Sequence, residues 1–157
     1  MMTVPCYIGP SPIAGTGIFA ERDIKAGEKI WDHMPGFDLS VPVATVLTWP
    51  EHLRDYVTKY GHLNDNDIES IHMCSGHGKF FNHSETPNTH DVGNTCVASR
   101  DIKKGEEITG NYFTYHGNSN QFYDYENWRL NLQALAEANG LDASSLNAAS
   151  SESRLAA

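Results

Sequence analysis

Two stretches of this chain spell nearly the same words. Phe19–Ile30 (FAERDIKAGEKI) and Val97–Ile108 (VASRDIKKGEEI) agree at 8 of 12 positions, with an offset of 78 residues. Two copies that far apart do not make a solenoid, which stacks several short repeats against one another. Each copy reads as a strand, an Asp-Ile-Lys turn with Gly27 or Gly105 where a left-handed residue is tolerated, and a second strand. The chain is therefore expected to hold two similar β units with something inserted between them.

The insertion should begin near Trp31. Thr48-x-x-Glu51 reads as a capping box, with Pro50 in the first turn, where its missing N–H costs little. Leu53, Tyr56, Val57 and Tyr60 follow at helical spacing, and Gly61 is a natural left-handed stop. This predicts a helix at about 49–60. His62–Asp67 reads as a polar loop, and Ile68–Met73 as a short strand or a helical turn. Beyond the second β unit lies an aromatic-rich segment from Tyr112 to Trp128. A terminal helix is expected at about 124–139, capped by Asp124, closed by Gly140, and carrying Tyr125, Trp128, Leu132 and Leu135 on one face. The Ser/Ala/Asn-rich residues 141–157 read as a disordered tail.

At 157 residues the length suits one domain, and 5–140 is the expected extent, with the insertion at about 32–75. A net charge of −9 argues against nucleic acid as a main partner and would steer a basic protein or peptide inward, although acidity alone also serves solubility. Three widely spaced cysteines, Cys6, Cys74 and Cys96, form no disulfide framework and fit a reducing compartment. The start has no signal-peptide pattern and no run approaches a membrane span. A cytoplasmic location is expected, or a nuclear one if the source has a nucleus.

The polar chemistry concentrates at Lys79–Asn88, where Phe80 and Phe81 run into Asn82, His83 and Ser84. Those three side chains hydrogen-bond local backbone and break regular structure, and Pro87 forbids helix at Thr86. An apolar anchor followed by dense donors and acceptors is how a scaffold presents a polar site. Near the start, Gly15, Gly17 and Ala20 match a dinucleotide-binding pattern by letter. Pro5, Pro10, Pro12 and Gly27 deny it the required strand and helix. A tight turn remains, either a plain hairpin or one that lets a ligand or another backbone come close. His72-x-Cys74-x-x-His77, with Cys96 or His90, has mixed ligands at irregular spacing and is better explained by ordinary side chains than by a metal site.

Taken together, Gly15-x-Gly17, Phe81-Asn-His-Ser-x-x-Pro-Asn88 and Gly105-Glu-Glu-Ile-x-x-x-Tyr112 resemble the SET domain of protein lysine methyltransferases, over about Tyr7–Leu135. The resemblance implies a mainly β fold with short helices. Small curved antiparallel sheets would surround a C-terminal pseudoknot, with a helical insertion and a C-terminal helix. It implies that Gly15, Thr16 and Gly17 line S-adenosylmethionine, and that Asn82 and His83 contact its methionine and adenine ends. Tyr112 matches the catalytic tyrosine, and Trp128 the tryptophan that stacks on adenine in some members; a core position is the rival role for Trp128. Phe113 stands where many members have glycine, and no cysteine-rich zinc module flanks the domain, as in a free-standing bacterial or viral type. The implied substrate is lysine in a basic protein or peptide, handled by a monomer or homodimer. A catalytically weak module that binds basic peptides is the competing reading.

Overall fold

The computed structural model describes residues 1–64, 67–112 and 140. Strand follows strand: β1 (Cys6–Pro10), β2 (Thr16–Ala20), β3 (Lys29–Asp32) and β4 (Leu39–Pro42). Two helices come next, α1 (Val43–Leu47) and α2 (Glu51–Tyr60). Strands β5 (Gly61–Asn64) and β6 (Asp67–Met73) complete the insertion. A 3-10 turn at His77–Phe80 leads into β7 (Asn82–His83), then β8 (Thr89–Val92), β9 (Thr95–Ala98) and β10 (Glu107–Gly110). The strands form three small sheets, ordered β1-β2-β10-β7, β3-β9-β8 and β4-β6-β5. Every pairing is antiparallel except the short parallel one between β10 and β7. The mainly β architecture with short helices is thus observed.

The repeated stretches meet face to face. Ile24 and Ile102 exchange backbone hydrogen bonds of 2.8 and 2.9 Å. Asp23 accepts from the Lys104 N–H at 2.9 Å and from Lys103 Nζ at 3.0 Å. Asp101 does the same for the first copy, accepting from the Ala26 N–H at 3.0 Å and Lys25 Nζ at 2.8 Å. The Gly27 N–H donates to Ala98 O, and the Gly105 N–H to Ala20 O, each at 2.8 Å. Both glycines have positive φ, 80° and 82°, where a side chain would strain the backbone. Arg22 pairs with Glu28 and Arg100 with Glu106. The two units are related by an approximate two-fold, and they exchange their last strands. The hairpin β1–β2 takes β10 as its third strand, and the hairpin β8–β9 takes β3.

Ile18, Ile24, Ile30, Ile102 and Ile108, all fully buried, fill the space between the units with Val4, Ala20, Phe81, Cys96 and Ala98. Burying each such isoleucine contributes roughly 1.5–3 kcal/mol. A second, smaller core of Val43, Val46, Val57 and Ile71 lies in the insertion. The insertion therefore holds its two helices and also a three-stranded sheet.

Three local expectations there are corrected. No side chain caps α2: Pro50 occupies the cap position, and Thr48 Oγ1 instead donates back to Thr45 O at 2.7 Å, closing α1. The capping-box letters lost to a preceding helix that the sequence reading did not contain. Gly61 is extended (φ −97°, ψ 168°), not left-handed. A Cβ there would sit 2.6 Å from Val57 O, so close approach to the helix end is its reason for being glycine. His62–Asp67 is no simple loop, since β5 begins at Gly61 and pairs with β6. Ile68–Met73 lies in that strand, settling strand over helical turn. Among the described residues no helix is long and apolar enough to cross a membrane. The helix expected at 124–139 and the tail at 141–157 lie outside the described residues.

Candidate active site

Strand β10 is the axis of the site. On one side it pairs with β2, through Glu107 opposite Phe19 and Ile108 opposite Ile18. On the other it pairs with β7, through Thr109 opposite Asn82 and Gly110 opposite His83. Three motifs far apart in sequence thus occupy three adjacent strands. Tyr112 follows two residues after β10 ends.

Gly15-Thr16-Gly17 closes the β1–β2 hairpin, with the Ser11 N–H donating to Gly15 O at 3.0 Å. Gly15 has φ 48° and faces open space, for a Cβ there would meet nothing within 4 Å. Gly17 is glycine for another reason: a Cβ would overlap Glu107 Oε1 and sit 3.1 Å from Ser11 Cβ. The neighbour at Gly17 is a side chain, where the sequence offered a ligand, another backbone or a plain hairpin turn. Asn82, almost fully buried, sends its amide to Ala14 O and Thr16 O, both at 3.2 Å, and to Glu107 Oε1 at 2.7 Å. It fastens the hairpin turn to β7.

The Tyr112 N–H donates to His83 Nδ1 at 3.2 Å, which leaves the proton of the neutral imidazole on Nε2. The two rings lie 5.3 Å apart, centroid to centroid. Tyr112 Oη donates to the Phe81 carbonyl. Burial pushes the Tyr112 phenol above its usual pKa, so the hydroxyl stays protonated around neutral pH. The structure thus brings Gly15, Thr16, Gly17, Asn82, His83 and Tyr112 to one strand and its neighbours. Trp128 lies outside the described residues.

Three residues that support the site had no role of their own in the sequence reading, although Asn88 and Glu107 stand in its motifs. Asn88, fully buried, accepts from the Thr109 N–H at 2.8 Å and donates to Glu107 O at 2.7 Å. Thr89 Oγ1 donates to Thr109 O at 2.9 Å. Side chains here satisfy buried backbone groups of β10 that no strand reaches. Glu107 is the third. Its signal was available, for it replaces Lys29 of the first copy with the opposite charge. The His72, Cys74 and His77 grouping does not close around a point. His72 Nδ1 lies 2.8 Å from Ser40 Oγ, and His77 Nδ1 lies 3.6 Å from Cys6 Sγ. Among the described residues no three His, Cys, Asp or Glu side chains are placed to hold a metal ion.

A glycine-edged hairpin turn, a buried asparagine, a histidine and a half-buried tyrosine gather around one central strand of a small β domain. The SET domain family model matches residues 15–113, well over half of the chain, and the chain belongs to that family, one of protein methyltransferases. Among solved structures, the chain is similar to a Plasmodium falciparum protein assigned as a histone methyltransferase, at 26% identity and a TM-score of 0.47. That match covers 71% of this chain and 95% of the other. It also shares the fold of a humanized mutant of the Chaetomium thermophilum Polycomb Repressive Complex 2 bound to the inhibitor GSK126. There the identity is 20% and the TM-score 0.54, covering 73% of this chain and 16% of that one. The apo form of the same organism's complex matches at 22% identity and a TM-score of 0.54, over 74% of this chain and 16% of that one. A comparison with curated protein sequences gave no match.

Proposed function

We propose that this domain transfers a methyl group from S-adenosylmethionine to the side-chain amine of lysine in a basic protein or peptide. The observation that carries the reading is the meeting of the Gly15–Gly17 turn, Asn82, His83 and Tyr112 around β10. The residues suit that cofactor. Gly15 opens the turn to free space, and the site offers carbonyls, a neutral phenol and an imidazole to a ligand that carries both charges. Gly15, Thr16, Gly17, Asn82 and His83 would hold it, with Trp128 as a further candidate. When bound, it supplies an electrophilic methyl next to a positive sulfur.

The attacking amine must be neutral. Free lysine, with a pKa of about 10.4, is well under ~1% neutral at pH 7. An apolar channel disfavours the ammonium and lowers that pKa. The proton then leaves to water, and no strong protein base is required. Tyr112 is poorly suited to be that base, since burial moves its pKa further up. Its hydroxyl, tied to Phe81 O, is suited to aligning the amine. The net charge of −9 favours a basic partner over nucleic acid or an acidic membrane surface. We place the reaction in the cytoplasm, with a nuclear or host-delivered role consistent with the same chemistry, carried out by a monomer or homodimer.

The test is incubation of the protein and candidate basic substrates with methyl-labelled S-adenosylmethionine. Label in lysine of a protein or peptide is the expected result. Label only in small molecules would overturn the substrate assignment. A protein that binds basic peptides and transfers nothing would be the non-catalytic module.

A further inference from the structure

We propose that Glu107 is a positioning residue for the methyl donor: its carboxylate fastens the Gly15–Gly17 turn to Asn82 in the shape that receives it. The inference rests on the methyltransferase reading. Glu107 Oε2 accepts from Ser11 Oγ at 2.9 Å, and Oε1 from Asn82 Nδ2 at 2.7 Å. Ser11 Oγ in turn accepts the Ile13 and Ala14 N–H groups at 2.9 and 3.3 Å, so the carboxylate organises the whole loop before Gly15. Gly17 lies directly against it, leaving no room for a Cβ. One side chain from the central strand thereby holds both β7 and the turn that leads into β2.

The approximate two-fold separates this role from mere upkeep of the fold. Lys29 occupies the matching place in the first copy, and its ammonium turns to Asp32 at 2.7 Å without spanning two elements. The shared scaffold forms there without a carboxylate. What Glu107 adds is confined to the half that carries the site.

The experiment uses the full chain, with Glu107→Ala, Glu107→Gln and Ser11→Ala. Affinity for S-adenosylmethionine is read by calorimetry, fold by ligand-free melting, and single-turnover transfer at saturating cofactor. Losing a hydrogen bond to a charged group is expected to weaken cofactor binding about tenfold or more in Glu107→Ala. Transfer at saturation should stay within about threefold of wild type, a split that marks lost uniform binding. Glu107→Gln should recover only part of the affinity. Its amide oxygen accepts from Asn82, but its amide nitrogen faces a Ser11 Oγ whose two lone pairs already take the Ile13 and Ala14 N–H groups, and the Ser11 hydroxyl loses its acceptor. Ser11→Ala should weaken binding by an intermediate amount. Unchanged affinity in Glu107→Ala would overturn the proposal. If Glu107→Ala does not fold, unchanged affinity in Glu107→Gln and Ser11→Ala would overturn it instead. A wild-type protein that does not bind S-adenosylmethionine would remove the methyltransferase reading itself, a result separate from any difference among variants.

Discussion

The first repeat and the second share their letters and differ in their work. The eight common residues all serve the interlock. The arginines pair with the glutamates, the aspartates hold the opposite turns, and the isoleucines fill the core. The alanines and glycines trade backbone hydrogen bonds across the two-fold. The site depends on positions where the copies diverge. β10 runs on toward Tyr112 between β2 and β7, whereas β3 shifts register between Lys29 and Trp31 and lies between β9 and a single bridge to Met2. Gly17 of the first hairpin corresponds to Thr95 of the second, and Lys29 to Glu107. Sequence identity between the halves thus marks what the scaffold needs, and the mismatches fall at the candidate site.

The largest expected effect tests the shared scaffold. Ile24→Ala and Ile102→Ala should each lose about 2–5 kcal/mol, the range for emptying a buried aliphatic site. Chemical denaturation should find the two losses within about 1 kcal/mol of each other, since their surroundings are related. A large inequality would break the equivalence of the halves.

Catalysis should break the symmetry entirely. Tyr112→Phe keeps the ring and removes the hydroxyl that Phe81 O accepts. Single-turnover transfer is expected to fall on the order of 10²-fold or more, with the melting temperature little changed. Met34 stands at the same offset after the first copy, and Met34→Leu should leave transfer as it was. Near wild-type transfer by the tyrosine variant would sink the assignment of the site.

A smaller effect concerns the sheet of the other half. Asp91 is half-buried beside Cys96, and among the described residues its Oδ2 has no hydrogen-bond partner. Burial pushes its pKa up to about 6 from 3.8. A raised carboxyl pKa means the unfolded chain releases its proton first. Stability should therefore fall as pH rises from about 4 to 6 and level off above that. Asp91→Asn should match wild type near pH 4 and be more stable at pH 7.5 by about 1 kcal/mol, allowing for solvent screening. Urea melts across that range check the sign, and no gain at pH 7.5 would refute it.

The smallest effect returns to the interlock. Asp23 and Asp101 both have pKa values below the usual carboxylate range, held down first by the Lys104 N–H and the Lys25 ammonium respectively. Their contribution is present above the unfolded pKa and is lost as pH falls through the lowered one. Asp23→Asn and Asp101→Asn should each reduce the melting temperature slightly and equally at pH 7, and the deficit should disappear in strong acid. A deficit in one copy alone would show that the turns are not equivalent.

Much of this was legible because the signals were local. Gly27 and Gly105 read as left-handed turn residues and are so, and α2 lies within the helix expected from Leu53, Tyr56, Val57 and Tyr60. The order of the glycine turn, the Asn-His pair and Tyr112 named residues that the fold brings together around β10. What stayed hidden was set by partners distant in the chain. β5 reads as a polar loop because its pairing with β6, not its own composition, makes it a strand. Thr48 and Glu51 had the spacing of a cap, yet α1 claimed the threonine first. Glu107 stood in the Gly-Glu-Glu-Ile motif without a role of its own, because its partner Ser11 lies 96 positions earlier.

The exchange of last strands also sets a timetable. On a ribosome, β2 emerges with one edge unpaired, and its proper neighbour β10 begins about 90 residues later. At roughly 5–20 residues per second, that leaves the edge waiting for about 4–18 s. An open edge is a template for other chains. The β3-β9-β8 sheet has its strands once Ala98 is made, whereas the sheet of the first hairpin must cross the whole interval incomplete. The reciprocal bonds at Ile24 and Ile102 then close both halves in one late event.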